Sequence, residues 1–200
     1  MRHRTAYESE LLALRAFLPR EGLGLEIGVG TGRFAVPLGI QVGLDPSEAM
    51  LAYACERGVL AIQGKAESLP FAGSAFDFIL VVTTICFVAD AKEMLLEAKR
   101  VLKPRAPLIL GFVDKDSAMG REYQLHKEEN VFYRGATFYS ATEVKGLLRE
   151  AGFGKNLGWG QTLFQPLSET QEIQPLQSGF GTGGFVVVSG TSRPEEGLDP

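Results

Sequence analysis

The chain has 200 residues, a formal net charge of -4, 45% hydrophobic residues and 22% charged residues. That length suits one complete α/β domain, and that balance excludes a disordered chain and allows a packed core. No lysine or arginine block reaches the density of a nucleic-acid surface, and two cysteines without metal-ligand spacing make neither a disulfide framework nor a zinc site.

Cys55 and Cys86 read as small core residues, and His3 and His126 are too few for a histidine-rich metal site, so no metal is expected. Arg2-His3-Arg4 reads as a frayed terminus, not a binding arm. The start of the chain lacks the charged head and apolar core of a signal peptide. The longest apolar run, Phe76 to Val88, contains Asp77 and is too short to span a bilayer. The expectation is a soluble, cytoplasmic protein.

In chain order, Tyr7 to Phe17 places Leu11, Leu12, Leu14 and Leu18 in a helical pattern that Pro19 and Gly22 end. Leu23 to Ile27 is a short strand, followed by a glycine-rich turn, Gly28 to Gly32, and a short helix from Arg33 to Leu38. Gln41 to Leu44 is the second strand. Asp45-Pro46-Ser47 starts a helix that runs to about Arg57, and Pro46 lacks only a hydrogen that would be unpaired there. Val59 to Gln63 is the third strand, with a loop from Gly64 to Ser74. Phe76 to Val82 is nearly continuous in apolar residues, the pattern of a parallel strand covered on both faces.

Ala91 to Leu102 is a helix with Met94, Leu95, Ala98, Val101 and Leu102 on one side, and Pro107 to Val113 is the fifth strand. This alternation predicts a mostly parallel sheet with helices on both faces. Ser117 to Glu129 is a charged helix. Ser140 to Ala151 is another, with Ser140 and Glu143 spaced as a capping box. Phe153 to Thr162 and Gly184 to Gly190 are the last two strands, separated by loop. One domain over residues 1–190 is expected, with residues 191–200 as a loose polar tail.

The sharpest signal is Glu26-Ile27-Gly28-Val29-Gly30-Thr31-Gly32-Arg33-Phe34. Alternate glycines let the backbone turn tightly and let a ligand approach without meeting a β-carbon. The following helix aims its amide hydrogens at that ligand. A dinucleotide site wants glycine or alanine at the sixth position, where this chain has Arg33, so the turn favours another nucleoside-bearing ligand. Asp45 ends the second strand beside the turn, where a carboxylate can accept both ribose hydroxyls of a nucleoside. By itself it reads as a cap for the next helix, but paired with the turn at this spacing it favours the ligand, and its several acceptor sites permit both roles.

These residues resemble the class I S-adenosylmethionine-dependent methyltransferases, and in particular the small ubiquinone and menaquinone biosynthesis group (methyltransferase type 11). The resemblance runs from about Gly24 to Pro104 and more loosely to Phe153. It implies a Rossmann-like α/β fold of seven strands, the last antiparallel, and S-adenosyl-L-methionine as cofactor. Glu26, Gly28, Gly30 and Gly32 match the first motif, whose acid supports the amino-acid portion of the ligand. Asp45 matches the ribose-binding acid. Pro46, Ser47 and Met50 match the helix on the adenine side. The backbone of Ala66 and the side chain of Glu67 match the loop that packs on adenine, although Lys65 stands where the family usually has aspartate. The segment before the first strand is short for the family, which implies a cofactor left exposed or covered only on binding.

The implied activity is methyl transfer to a small-molecule acceptor. The cofactor is already activated, so no catalytic triad is required. A base is needed only where the acceptor must lose a proton. Thr83 could bond the cofactor's amino-acid end or cap backbone groups. Asp114 reads as a turn or helix cap. Arg121, Tyr123, His126 and Tyr133 lie in a lid-like insertion. His126 is the candidate base, and a charged surface helix explains it as well. Phe132, Tyr133, Phe138 and Tyr139 either wall the acceptor pocket or fasten the insertion to the core. A non-catalytic S-adenosylmethionine-binding regulatory protein and a nicotinamide-dependent oxidoreductase are the alternatives. No membrane partner is expected, nor a nucleic acid. The apolar C-terminal region suits a homodimer as readily as the chain's own core.

Overall fold

The computed structural model describes residues 3–131 and 133–192. The chain runs α1 (Arg4–Arg15), β1 (Gly24–Ile27), α2 (Ala35–Leu38), β2 (Val42–Asp45), α3 (Glu48–Glu56), β3 (Leu60–Gln63) and β4 (Phe78–Val82). It continues through α4 (Ala91–Val101), β5 (Pro107–Val113), α5 (Ala118–Leu125), α6 (Ala141–Glu150), β6 (Lys155–Thr162), β7 (Gln177–Ser178) and β8 (Phe185–Thr191).

These strands make one sheet in the order β3-β2-β1-β4-β5-β8-β6-β7. β1 to β5 pair in parallel, whereas β8 is antiparallel to both β5 and β6. The period-2 alternation of side chains divides the core in two. Leu25, Ile27, Ile79, Val81, Leu108, Leu110, Val186 and Val188 face α4 and α6. Phe78, Leu80, Val82, Ile109, Phe185 and Val187 face the other way, where α1, α2 and α3 add Ala13, Leu14, Ala35, Leu51 and Ala54. β4 is buried along its whole length because helices cover both faces. This is the Rossmann-like, mostly parallel α/β architecture that the alternation predicts.

From β1 the chain proceeds outward to β2 and β3, then crosses back to β4 on the other side of β1. That reversal opens a crevice at the carboxyl ends of β1 and β4, where α/β sheets bind ligands. The glycine turn, Asp45 and Thr83 follow the carboxyl ends of β1, β2 and β4, so they converge there.

Several local expectations are corrected. A two-residue edge strand, β7, lies in the segment expected to be loop, paired with β6 through Gly160 and Gln161. The helix expected over residues 117–129 stops at Leu125 and resumes as a single 3₁₀ turn, Lys127–Glu129. Arg4 is not frayed but opens α1, with its guanidinium on Glu8 at 2.7 Å. Cys55 is exposed, unlike the buried Cys86. The apolar C-terminal strand is spent inside the chain's own sheet, where Phe185 to Val188 are fully buried. The tail begins within β8, at Thr191, and residues 193–200 lie outside the described residues. Ser140 and Glu143 do form the capping box that starts α6. Among the described residues, no helix is long and apolar enough to cross a membrane.

Candidate functional site

The glycine turn is tied to its neighbour strand by the Gly28 and Val29 amides, which donate to the Leu44 carbonyl at 2.7 and 3.0 Å. Gly28 has φ +75°, and a β-carbon there would lie 2.1 Å from Thr84 Oγ1. Only glycine admits the Thr84 hydroxyl, which donates to the Val82 carbonyl at 2.9 Å. Gly30 has φ +52°, and a β-carbon there would meet nothing within 4 Å. The backbone at Gly30 therefore faces open space, a cradle that any side chain would begin to fill. Gly32 does something else. It packs against Ala54 and Val59 of the neighbouring helix and strand connection and lines neither cavity described below.

Asp45 sits between the turn and α3. Its Oδ2 accepts the Gly30 amide and its Oδ1 the Ser47 amide, both at 2.9 Å. The cap of α3 is Ser47, whose hydroxyl accepts from the Met50 amide, so Asp45 is not the helix cap. Ser47 in turn does not line the cavity beside Asp45. A carboxylate bonded once at each oxygen keeps lone pairs for further donors.

Glu26 is 1% exposed. The Ala35 amide bonds its carboxyl, yet Oε2 is the buried side-chain oxygen left without a partner among the described residues. Burial pushes the Glu26 carboxyl well above the usual carboxylate range, the Ala35 bond opposes this, and the Asp45 charge adds to it. An orphan acceptor costs about 1–3 kcal/mol, so its persistence at a crevice points to a ligand donor.

Two cavities meet along this turn and share Gly28, Gly30, Val82 and Thr83. One, of about 520 Å³, is bounded by Asp45, Pro46, Met50, Lys65, Ala66 and Glu67, with Leu44 and Val88 adding apolar wall. The other, of about 390 Å³, holds Glu26, Arg33, Tyr123 and Tyr133. Thr83 adopts φ +51°, an unusual conformation for a β-branched residue, and its amide donates to the Gly111 carbonyl at 2.8 Å. Glu67 has a structural duty as well. Its Oε1 accepts the Ala89 amide at 2.7 Å and so ties the loop after β3 to the segment before α4.

The second cavity shows what sequence reasoning missed. Its outer wall is α1, through Ala6, Tyr7 and Glu10. The N-terminal segment, expected to leave the site exposed or to cover it only on binding, lines one side of this cavity. Glu10 falls on the helical spacing of the buried Ala6, Ala13 and Leu14, an acid within the inward stripe. That spacing is the signal for Glu10, whereas the leucines of α1 are split between the two faces, Leu14 being buried and Leu12 48% exposed. Glu10 is half-buried, and desolvation pushes its carboxyl up to about 7 despite the opposing Arg33 charge. The Arg33 guanidinium lies 4.6 Å over the Tyr7 ring.

The insertion contributes aromatics, not its histidine. Tyr133 stacks on Tyr123 at 5.2 Å and on Phe87 at 5.9 Å, and Phe138 packs against both tyrosines. Tyr139 and Phe138 border a small pocket with Cys86, whose buried thiol is pushed up to about 12. Phe132 lies outside the described residues. His126 lines neither glycine-turn cavity. It faces an adjoining surface hollow and pairs with Glu129 at 3.2 Å, both largely exposed. Arg121 bonds the Asp116 carbonyl. Asp114 is buried, and its Oδ1 accepts the Asp116 and Ala141 amides, the turn role expected of it.

The residues present fit a nucleoside carrying a charged amino-acid arm. They offer an apolar slot, a carboxylate with free lone pairs, a cradle at Gly30 and an orphan acidic oxygen. Comparisons with known proteins agree. A family model described as a methyltransferase domain matches residues 25–110. A crystal structure of an S-adenosylmethionine-dependent methyltransferase from Thermotoga maritima, described as a possible histamine N-methyltransferase, is 52% identical. The two superpose with a TM-score of 0.93 over 96% of this chain and 91% of that one. An uncharacterized protein of Methanocaldococcus jannaschii is 44% identical over 183 residues, 92% of this chain and 88% of its own. A ubiquinone biosynthesis O-methyltransferase of Azorhizobium caulinodans is 30% identical over 156 residues, 70% of this chain and 62% of its own. The chain belongs to the class I S-adenosylmethionine-dependent methyltransferases. It is an enzyme, and its cofactor is S-adenosyl-L-methionine.

Proposed function

We propose that S-adenosylmethionine lies across the glycine turn with its nucleoside half in the cavity of Asp45 and its amino-acid half toward Glu26. Asp45 holds the ribose hydroxyls. Pro46, Met50, Ala66 and Glu67 form the adenine slot, with Lys65 at its edge. The amino-acid portion runs over Gly28 and Gly30, between Glu26 and Thr83. Gly32 and Ser47 support this arrangement from behind, by packing and by capping. The cofactor supplies a methyl carbon activated by its sulfonium, and the protein's task is to hold the acceptor in line with it.

The observation that carries this reading is the meeting of three carboxyl-end features around one connected space. The glycine turn, Asp45 and Thr83 come from three different strands, and Gly28, Gly30 and Thr83 line both of its cavities. Calorimetric titration with S-adenosylmethionine, S-adenosylhomocysteine and NAD tests it. Saturable binding of the adenosyl compounds, lost by at least tenfold in Asp45→Ala with an unchanged circular dichroism spectrum, is the expected result. Full affinity in that variant would sink the ribose assignment, and binding of NAD alone would sink the cofactor placement.

The acceptor enters beside Tyr123 and Tyr133 in this proposal, and His126 has no catalytic role. The Thermotoga maritima protein is described as a possible histamine N-methyltransferase, which favours a nitrogen acceptor and makes histamine the first compound to assay for methylated product by mass spectrometry. A small-molecule acceptor without a membrane or nucleic-acid partner, acting in the cytoplasm, completes the proposal. Self-association as a homodimer is measured by light scattering.

A further inference from the structure

We propose that Glu10 binds the ammonium group of the methyl acceptor and takes its proton, in the cavity walled by Tyr7, Tyr123 and Tyr133. This rests on the reading that the cofactor's reactive end faces the same space.

The geometry is that of a cation site. Glu10 on α1 lines the same cavity as Gly28 and Gly30, so a group held at the carboxylate shares its space with the turn. Stacked rings at 5.2 Å form one wall, and aromatic faces attract a cation while excluding water. A carboxylate within such walls prefers an ammonium to a hydroxyl, because a neutral partner leaves its charge uncompensated.

The chemistry requires such a group. A protonated amine has no lone pair with which to attack a methyl carbon. When the Glu10 carboxylate takes the proton, an N–H bond breaks and an O–H bond forms. The electron pair stays on nitrogen as the nucleophile. Desolvation in the cavity lowers the ammonium's pKa toward that of the carboxyl, which burial has pushed up to about 7. The titratable and charged groups that share the cavity are His3 and Tyr7 at α1, Glu26 and Arg33 at the glycine turn, and Tyr123 and Tyr133 from the insertion.

The test needs no turnover. Protein saturated with S-adenosylhomocysteine is titrated calorimetrically with 2-phenylethylamine and with its neutral isostere 2-phenylethanol, at pH 6 and pH 8. The amine should bind at least tenfold tighter than the alcohol at pH 8. That preference should fall about tenfold at pH 6, where a carboxyl titrating near 7 is mostly protonated. Glu10→Gln should abolish both the preference and its pH step while S-adenosylhomocysteine affinity stays within twofold, which also reports an intact fold. Glu10→Asp should retain a weaker preference, and His3→Gln should keep the pH step. Equal binding of amine and alcohol by the wild type, no binding of the amine, or a preference surviving in Glu10→Gln overturns the proposal. Loss of S-adenosylhomocysteine binding in Glu10→Gln, with a cooperative thermal transition at or above that of the wild type, would assign the carboxylate to the cofactor's own amino group and overturn it too. A wild type that fails to bind S-adenosylhomocysteine at all refutes the cofactor placement itself, a result distinct from those above.

Discussion

An acid held within the inward face of α1 should cost stability, and Glu10→Gln measures the cost. The carboxyl titrates near 4.5 in an unfolded chain and at about 7 in the fold, chiefly through desolvation. Between those values the folded state binds more protons than the unfolded one, so stability falls as pH rises from 4.5 to 7 and stays low above. At about 1.4 kcal/mol per tenfold change, the full penalty is about 3 kcal/mol. Glu10 is half-buried, so water screens part of this and about 2 kcal/mol is expected. Glutamine keeps the shape and does not titrate. The variant should therefore be about 2 kcal/mol more stable than wild type at pH 8, and within about 1 kcal/mol of it at pH 5. Urea unfolding followed by the fluorescence of Trp159, the single tryptophan, gives both values. Glu26 also titrates upward, but it is present in both proteins and cancels in the difference. A stability difference that is equal at the two pH values, or a variant less stable at pH 8, would refute the reasoning.

Other expectations concern the turn, the buried acid and a cap. Gly28→Ala sets a β-carbon 2.1 Å from Thr84 Oγ1 at positive φ and should destabilise the fold by about 3 kcal/mol in chemical denaturation. Gly30→Ala meets no atom within 4 Å, so it should cost only about 1 kcal/mol of stability yet weaken S-adenosylhomocysteine binding at least tenfold. Equal effects at both glycines would contradict their separate roles. Burial pushes the Glu26 carboxyl up, whereas a cationic amino group arriving beside it favours the ionised form. Cofactor binding should then release a proton and tighten as pH rises, which calorimetry in buffers of different ionisation enthalpy detects; no buffer dependence would count against Glu26 facing the amino group. Ser140→Ala removes the capping box of α6 and should cost about 1 kcal/mol, a drop in melting temperature of about 2–4 °C by calorimetry.

The sequence by itself determined the sheet and the half of the site built from consecutive strands. Alternating strands and helices, the glycine turn and a strand-ending Asp45 are local features. A parallel sheet must bring such features to one edge, because its carboxyl ends all point the same way. The capping box was legible for the same reason, since both partners lie within one helical turn. Gly32 and Ser47 show where local pattern stops. Each belongs to the motif, but the packing of Gly32 against Ala54 and the capping of α3 by Ser47 are duties that only the structure shows. Two-residue β7 carried no periodicity and formed only because β6 presents an edge. The second cavity was only partly legible, since the insertion's aromatics suggested a wall but nothing local joined them to α1. Tyr7, Glu10, Arg33, Tyr123 and Tyr133 come from three separate parts of the chain, and only Tyr7 and Glu10 share a local spacing. They share a cavity because α1 packs against the sheet face while the insertion after β5 folds back over the carboxyl edge. The burial that gives Glu10 its raised pKa exists only once those walls have closed around it.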